Sequence, residues 1–307
     1  MNGIAGASWC AGAGLASAAE ATAAGGAAAF YATTALGPVA PAGGTRLAVT
    51  DVCADSGLGE LAALGPFFAV GSHSPGAPPP ASWRPGSELA GPSDSVAARV
   101  AAVRAALAAR GGRDTGDVEP RVAGSAVHLG LVARLISPAL GAAVLRCPVD
   151  LGLSGLWWQD ELGGAMPLSV PAPADHASEA APSEAAPSEA PAPEAEPAWE
   201  RRLLDETIAP VTAAVAGLVP VSGRVLWGNV ASAINTAAAQ VARQRPDLAA
   251  DAWQVAGRLL ADSRLRDEPC PPGPAFRRAS CCLYYRLAPG DPSAICGDCV
   301  LSASRAP

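Results

Sequence analysis

The sequence predicts a mainly α-helical protein with a small β component, an α+β fold that ends in an irregular, cysteine-rich segment. Three observations carry this expectation. Apolar residues recur at helical spacing in several stretches, two short apolar runs flank a Gly-Gly pair, and from residue 269 onward Pro, Gly and Cys displace any periodic pattern. With 307 residues, half of them hydrophobic, the chain is long enough to bury a sizeable core.

Residues 1–93 are the least defined part, with an Ala/Gly-rich start and a short candidate strand at 47–53. The Gly/Pro/Ser stretch 71–92 within it reads as a long surface loop. Residues 94–170 read as a helical and hairpin part. Ser93 or Asp94 caps a helix whose stripe is Val96, Val100, Val103 and Leu107, and Gly111-Gly112 stops it. A second helix is expected from Arg121 to Ile136, ended by Pro138. The runs around Trp157-Trp158 and Met166–Val170, joined near Gly163-Gly164, form the hairpin.

Residues 171–198 hold seven prolines among Ala, Ser and Glu. A Ser-Glu-Ala-Ala-Pro repeat starts at Ser178 and again at Ser183. Such sequence cannot bury a core and reads as a disordered acidic linker. Residues 199–268 return to helix. Leu204, Ile208, Val211 and Val215 make one stripe, kinked at Pro210. Ser222 caps a helix bearing Val225, Leu226, Val230, Ile234 and Val241, and Pro246-Asp247 opens another with Leu248, Ala252, Val255 and Leu259. Residues 269–307 are the cysteine-rich tail.

The net charge is -7, and the linker supplies most of it: six carboxylates from Asp175 to Glu196, with no Arg. The remainder is near neutral and shows no basic stripe, so no nucleic-acid partner is expected. All 21 basic residues are Arg. The lack of Lys excludes Schiff-base chemistry and the lysine-bearing phosphate loop. No run of about 18 apolar residues is free of charge and Pro, so no transmembrane segment is expected. The apolar start lacks a positive leading region and contains Glu20, which argues against a signal peptide and for a cytoplasmic location. In that reducing compartment, eight cysteines point to metal or redox chemistry rather than disulfides.

Four of the eight are clustered: Cys281-Cys282, then Cys296-Gly297-Asp298-Cys299. Cys10, Cys53, Cys147 and Cys270 are scattered and read as small buried hydrophobes. A Cys-x-x-Cys pair grips a metal from one turn, in zinc and iron–sulfur sites alike. Adjacent cysteines point opposite ways along an extended chain, so both reach one small ion only through a distorted turn. A wider two-iron cluster offers them separate irons, which tilts the site towards [2Fe–2S] over structural zinc or a thiol–disulfide motif. Arg277, Arg278 and Arg286 flank the first pair, where they would favour the reduced, more anionic cluster or serve docking; solvated surface arginines are the competing reading.

The run Arg277–Arg286 (Arg-Arg-Ala-Ser-Cys-Cys-Leu-Tyr-Tyr-Arg) followed by Cys296–Cys299 resembles the C-terminal signature of the FhuF-type ferric-siderophore reductases. Leu226–Ala233 and Val127–Arg134 resemble two further blocks of that family. The resemblance implies a one-electron reductase whose [2Fe–2S] cluster, held by Cys281, Cys282, Cys296 and Cys299, reduces Fe(III) in a hydroxamate-type siderophore. Siderophores bind Fe(II) far more weakly, so reduction releases the iron. The stretch between Cys282 and Cys296 is longer than the family pattern and reads as an extended loop. No nicotinamide or flavin fingerprint is present, so electrons are expected from a ferredoxin or a flavin- or nicotinamide-dependent reductase.

Trp227, Asn229, Arg224 and Arg134 are the candidates for siderophore binding; helix packing through Gly228 is the alternative for the first two. Of the three histidines, His73 and His176 fall in loop and linker, and His128 reads as a satisfied helix residue. Trp157-Trp158 reads as hairpin packing. A second function class stays open: a siderophore-binding or structural protein whose four cysteines hold zinc.

Overall fold

The computed structural model describes residues 52–91, 94–147, 149–172, 197–265, 271–291 and 294–301. In chain order the elements are α1 (Val52–Ala63), β1 (Gly71–His73), β2 (Arg84–Pro85), α2 (Asp94–Arg110) and α3 (Pro120–Leu145). The hairpin strands β3 (Trp157–Trp158) and β4 (Leu168–Pro171) follow. Then come α4 (Pro197–Arg202), a π-helical turn (Leu203–Ile208), α5 (Ala209–Leu218), α6 (Gly223–Gln244) and α7 (Ala249–Leu260). The mainly helical α+β class expected from the sequence is what the chain adopts.

α3 is the centre. It packs along α6 and touches α1, α2, α5 and α7. Leu131, Leu135, Ile136 and Leu140 on α3 meet Val230, Ile234 and Val241 on α6, all fully or almost fully buried. Among the described residues α3 is the one helix long and apolar enough to cross a membrane, and 89% of its most apolar window is buried inside the fold. Its apolarity is therefore that of a core helix.

The helix expected to end before Pro138 runs on to Leu145. Proline costs the helix one hydrogen bond, but Leu140 and Val144 lie buried beyond it, and their burial keeps the last turns in place. Pro210 has a related effect. A π turn, not a simple kink, precedes it, and Thr207 inside that turn donates to the Leu151 carbonyl at 3.3 Å. Ser222 caps α6 as expected, accepting from the Val225 amide at 3.4 Å.

The N-terminal reading needs correction. The expected strand at 47–53 gives way to α1 from Val52, residues 47–51 lying outside the described residues. The segment 71–92 is not merely a surface loop, because β1 and β2 lie in it. With the expected hairpin β3–β4 they form a four-stranded sheet in the order β1-β4-β3-β2, parallel only between β1 and β4. Leu61, Leu64, Phe68 and Leu89 are buried core residues. Long-range pairing of two- and three-residue strands leaves no periodic trace in sequence. Of the linker, Pro171 belongs to β4 and Pro197 opens α4; residues 173–196, with His176, lie outside the described residues.

Candidate metal centre

Among its described residues the cysteine segment has no regular structure beyond short 3₁₀ turns, and local geometry aims its thiols. Leu283, directly after the Cys281-Cys282 pair, adopts a left-handed φ of 69°. A non-glycine residue there costs roughly 1–2 kcal/mol. This is the distorted turn that adjacent cysteines need to present both thiols to one site. At the second pair, the Cys299 amide donates to the Cys296 carbonyl at 3.0 Å, closing one turn.

The four thiols form a ring of neighbours. Cys282 Sγ lies 3.7 Å from Cys296 Sγ, and Cys299 Sγ lies 3.8 Å from Cys281 Sγ. Cys282, Cys296 and Cys299 are buried and Cys281 is half-buried. Cys282 and Cys299 are held below the ordinary thiol range by hydrogen bonds from their sulfur neighbours, while Cys281 and Cys296 are held above it as the proton-keeping partners. Backbone amides also point at sulfur: Leu283 to Cys281 at 3.3 Å, Leu301 to Cys299 at 3.4 Å, and Tyr284 to Cys282. Such donors stabilise thiolate charge.

The donor set fits a thiolate-bound iron–sulfur group. Sulfurs on one tetrahedral metal with metal–sulfur bonds of about 2.3 Å stand about 3.8 Å apart, the spacing of both close pairs. Among the described residues no three or more His, Cys, Asp and Glu side chains gather around a single-ion position.

Phe276 inserts into the main core, and a set of polar ties seats the segment on α3 and α6. Ser125 Oγ of α3 donates to the Cys282 carbonyl at 2.8 Å, Asn229 Nδ2 of α6 donates to Ser125 Oγ at 3.1 Å, and Ser232 Oγ donates to the Asp298 carboxylate. Ser280 Oγ donates to the Arg224 carbonyl at 2.9 Å. This contact requires Gly228, where an added Cβ would lie 2.1 Å from Ser280 Oγ. The block Leu226–Ala233 is thus the seat of the cysteine segment. Sequence reasoning missed Ser125, Ser232 and Asp298; only the Asp298 position, inside Cys-x-x-Cys, carried a local signal.

The flanking arginines differ from one another. Arg278 is 1% exposed and donates to Asn229 Oδ1 at 2.6 Å and to the Ser280 carbonyl at 2.7 Å. It makes no salt bridge among the described residues, so a buried positive charge stands behind the thiols and favours the Cys282 thiolate. Arg277 is half-buried and bonds the Phe276 carbonyl. Arg286 is paired with Glu119 at the start of α3, which offsets its charge.

Of the candidate siderophore-binding residues, two are corrected. Asn229 is completely buried, its amide spent on Ser125 and Arg278. Arg134 is 2% exposed and donates to the carbonyls of Met166, Phe67 and Ala69, tying the sheet region to α3. Burial brings its pKa down to about 10. Neither can meet a ligand from solution. Trp227 is half-buried with the Arg264 guanidinium 4.7 Å from its ring centre, and Arg224 is exposed.

His128 is fully buried. Thr212 Oγ1 donates to the Ile208 carbonyl at 2.8 Å, so it accepts from His128 Nε2–H at 3.0 Å, which leaves Nδ1 bare towards Asn229 at 3.5 Å. Burial, aided by Arg278, brings its pKa down to about 3, so it stays neutral. Trp157 and Trp158 are buried in the sheet, with His73 stacked on Trp157 at 3.5 Å. Cys147 is half-buried, Cys53 lies on α1, and Cys10 and Cys270 fall outside the described residues.

A helical scaffold carrying four converging thiols defines a thiolate-ligated metalloprotein. Two family models match it in tandem: "Ferric iron reductase FhuF-like transporter" over residues 150–272, and "FhuF 2Fe-2S C-terminal domain" over residues 278–301. Over these residues the chain is similar to the FhuF-like ferric iron reductases, and the match over its cysteine segment is to a domain whose cofactor is a [2Fe–2S] cluster. Comparison with curated proteins and with solved structures gives no match.

Proposed function

We propose that the protein is a one-electron reductase of Fe(III) in hydroxamate-type siderophores, acting in the cytoplasm, with Cys281, Cys282, Cys296 and Cys299 as its metal ligands. The observation that carries this is the pairing of four thiols at 3.7 and 3.8 Å, three of them buried and one partly open to solvent. A bound [2Fe–2S] cluster supplies a one-electron couple. The protein supplies the rest. The amides of Leu283, Tyr284 and Leu301 stabilise sulfur charge, Arg278 adds a buried cation behind the thiols, and Tyr284, Ile295 and Leu301 pack around buried Cys282, Cys296 and Cys299.

One electron from a separate donor, a ferredoxin or a flavin- or nicotinamide-dependent reductase, converts Fe(III) to Fe(II). The chelator then releases Fe(II), which it binds weakly. No proton transfer at carbon and no covalent intermediate is needed, which agrees with a site lacking an acid–base pair. Domain organisation follows the chemistry: residues 94–170 and 199–268 build the scaffold, and 269–307 form the redox segment.

The test is anaerobic purification followed by iron, sulfide and zinc analysis, then mixing of the reduced protein with a ferric trihydroxamate in the presence of an Fe(II)-trapping chelator. Two irons and two sulfides per chain with Fe(II) appearing are expected. Stoichiometric zinc without sulfide would replace this reading with a zinc-stapled binding protein.

A further inference from the structure

Asp298 is a buried carboxylate in a place where folding alone favours a neutral residue. It stands between Cys296 and Cys299 and is 8% exposed, beside thiols that become anionic when they bind metal. Its charge opposes negative charge on the Cys296 sulfur. Among the described residues the carboxylate has no salt-bridge partner; its side-chain bond comes from Ser232 Oγ. One hydroxyl leaves much of the cost of burying an anion in place.

Ser232 is equally specific. It is 6% exposed and sits between Ala231 and Ala233, in a stretch of α6 otherwise apolar from Val230 to Ile234. Its hydroxyl donates out of the helix to Asp298 rather than back to its own backbone.

Arg278 carries the opposite charge and acts on a different thiol. Its amide donates to the Asp298 carbonyl at 3.0 Å, but its guanidinium turns to Asn229 and the Ser280 carbonyl. The two buried charges are therefore not spent on each other. The cation favours charge on Cys282, and the anion opposes it on Cys296.

Resting on the reductase reading, we propose that Asp298 sets the reducing power of the metal centre. Its carboxylate disfavours the added negative charge of the reduced centre and so lowers the midpoint potential. The Ser232 tie holds the Cys296–Cys299 turn against α6. One electron enters from the donor and leaves to Fe(III); Asp298 changes the energy of that charge and forms or breaks no bond. A chelator that holds Fe(III) far more tightly than Fe(II) makes the iron hard to reduce, so such a substrate demands a low potential.

Asp298→Asn separates charge from tie, because the amide oxygen still accepts from Ser232. In cluster-loaded protein its equilibrium constant for reduction should rise about tenfold, a midpoint shift of about +59 mV for one electron. A potentiometric titration followed by the paramagnetic signal reads this shift, and iron and sulfide content should match the wild type. Ser232→Ala removes the tie. It should release iron to excess EDTA at least about threefold faster than the wild type, with far-ultraviolet circular dichroism unchanged.

An unchanged potential in Asp298→Asn, or loss of the cluster from it, overturns the charge assignment, and equal release rates overturn the tie. An unchanged potential alongside reduction of the ferric trihydroxamate by the wild type leaves the reductase reading standing without Asp298. A raised potential in Asp298→Asn with no Fe(II) formed by the wild type keeps the role of Asp298 and removes the reductase reading.

Discussion

The helical core and the cysteine segment are held together by different physics. Around α3 and α6, buried Leu, Ile and Val fill the interior, with a few side-chain hydrogen bonds such as His128 to Thr212 and Arg134 to Met166 crossing between elements. In the segment 271–301, Cys282, Cys296 and Cys299 form their own small apolar cluster; Phe276 inserts into the main core, and four polar ties add direction: Ser125 to Cys282, Ser232 to Asp298, Ser280 to Arg224 and Arg278 to Asn229. Hydrophobic burial is strong and indifferent to direction, so it suits a scaffold. Hydrogen bonds are weaker in net terms but directional, so they suit a segment whose sulfurs must be aimed. The core should therefore fold without the metal, while the segment should depend on it.

Four experiments would break or sharpen that contrast. The largest expected effect is on cofactor content. Cys296→Ser should abolish the iron–sulfur absorption and the reducible paramagnetic signal while far-ultraviolet circular dichroism keeps its helical signal; loss of both together would show that the core needs the metal. On the core side, Leu140→Ala should lower unfolding stability by about 2–5 kcal/mol in denaturant titrations, because Leu140 is fully buried among large neighbours.

His128 joins the two regions through Asn229. It stays neutral in the folded protein down to about pH 3, whereas the unfolded chain takes up a proton near pH 6.5. Its contribution is complete above pH 6.5 and is lost as pH falls from there towards 3, with a slope of up to about 1.4 kcal/mol per pH unit. Urea titrations between pH 7 and 4 should show this slope, and His128→Gln should flatten it.

The smallest effect tests the buried cation. Arg278→Gln should lower the midpoint potential on the order of tens of millivolts, and Arg278→Lys should keep most of it. Potentiometry would show an unchanged value in both if the guanidinium only braces Asn229.

Much of the helical scaffold was legible from the sequence because apolar spacing, caps and breakers act locally. The stripe Val96–Leu107, the Ser222 cap and the Gly163-Gly164 hairpin all appear where their residues place them. Pro138 misled because its local cost is outweighed by burial of distant neighbours. The sheet strands β1 and β2 were invisible because their pairing partners lie elsewhere in the chain.

By itself the sequence determined the chemistry. Thiolate affinity for iron depends on residue type and short spacing, so Cys281-Cys282 and Cys296-x-x-Cys299 mark themselves as candidate metal ligands without reference to the fold. Only the tertiary structure decided access and charge. It buried Asn229 and Arg134, sealed Arg278 behind the thiols while leaving Arg277 half-exposed, and tied Asp298 to Ser232. Burial and proximity are sums over contacts between distant segments, and no local pattern encodes them.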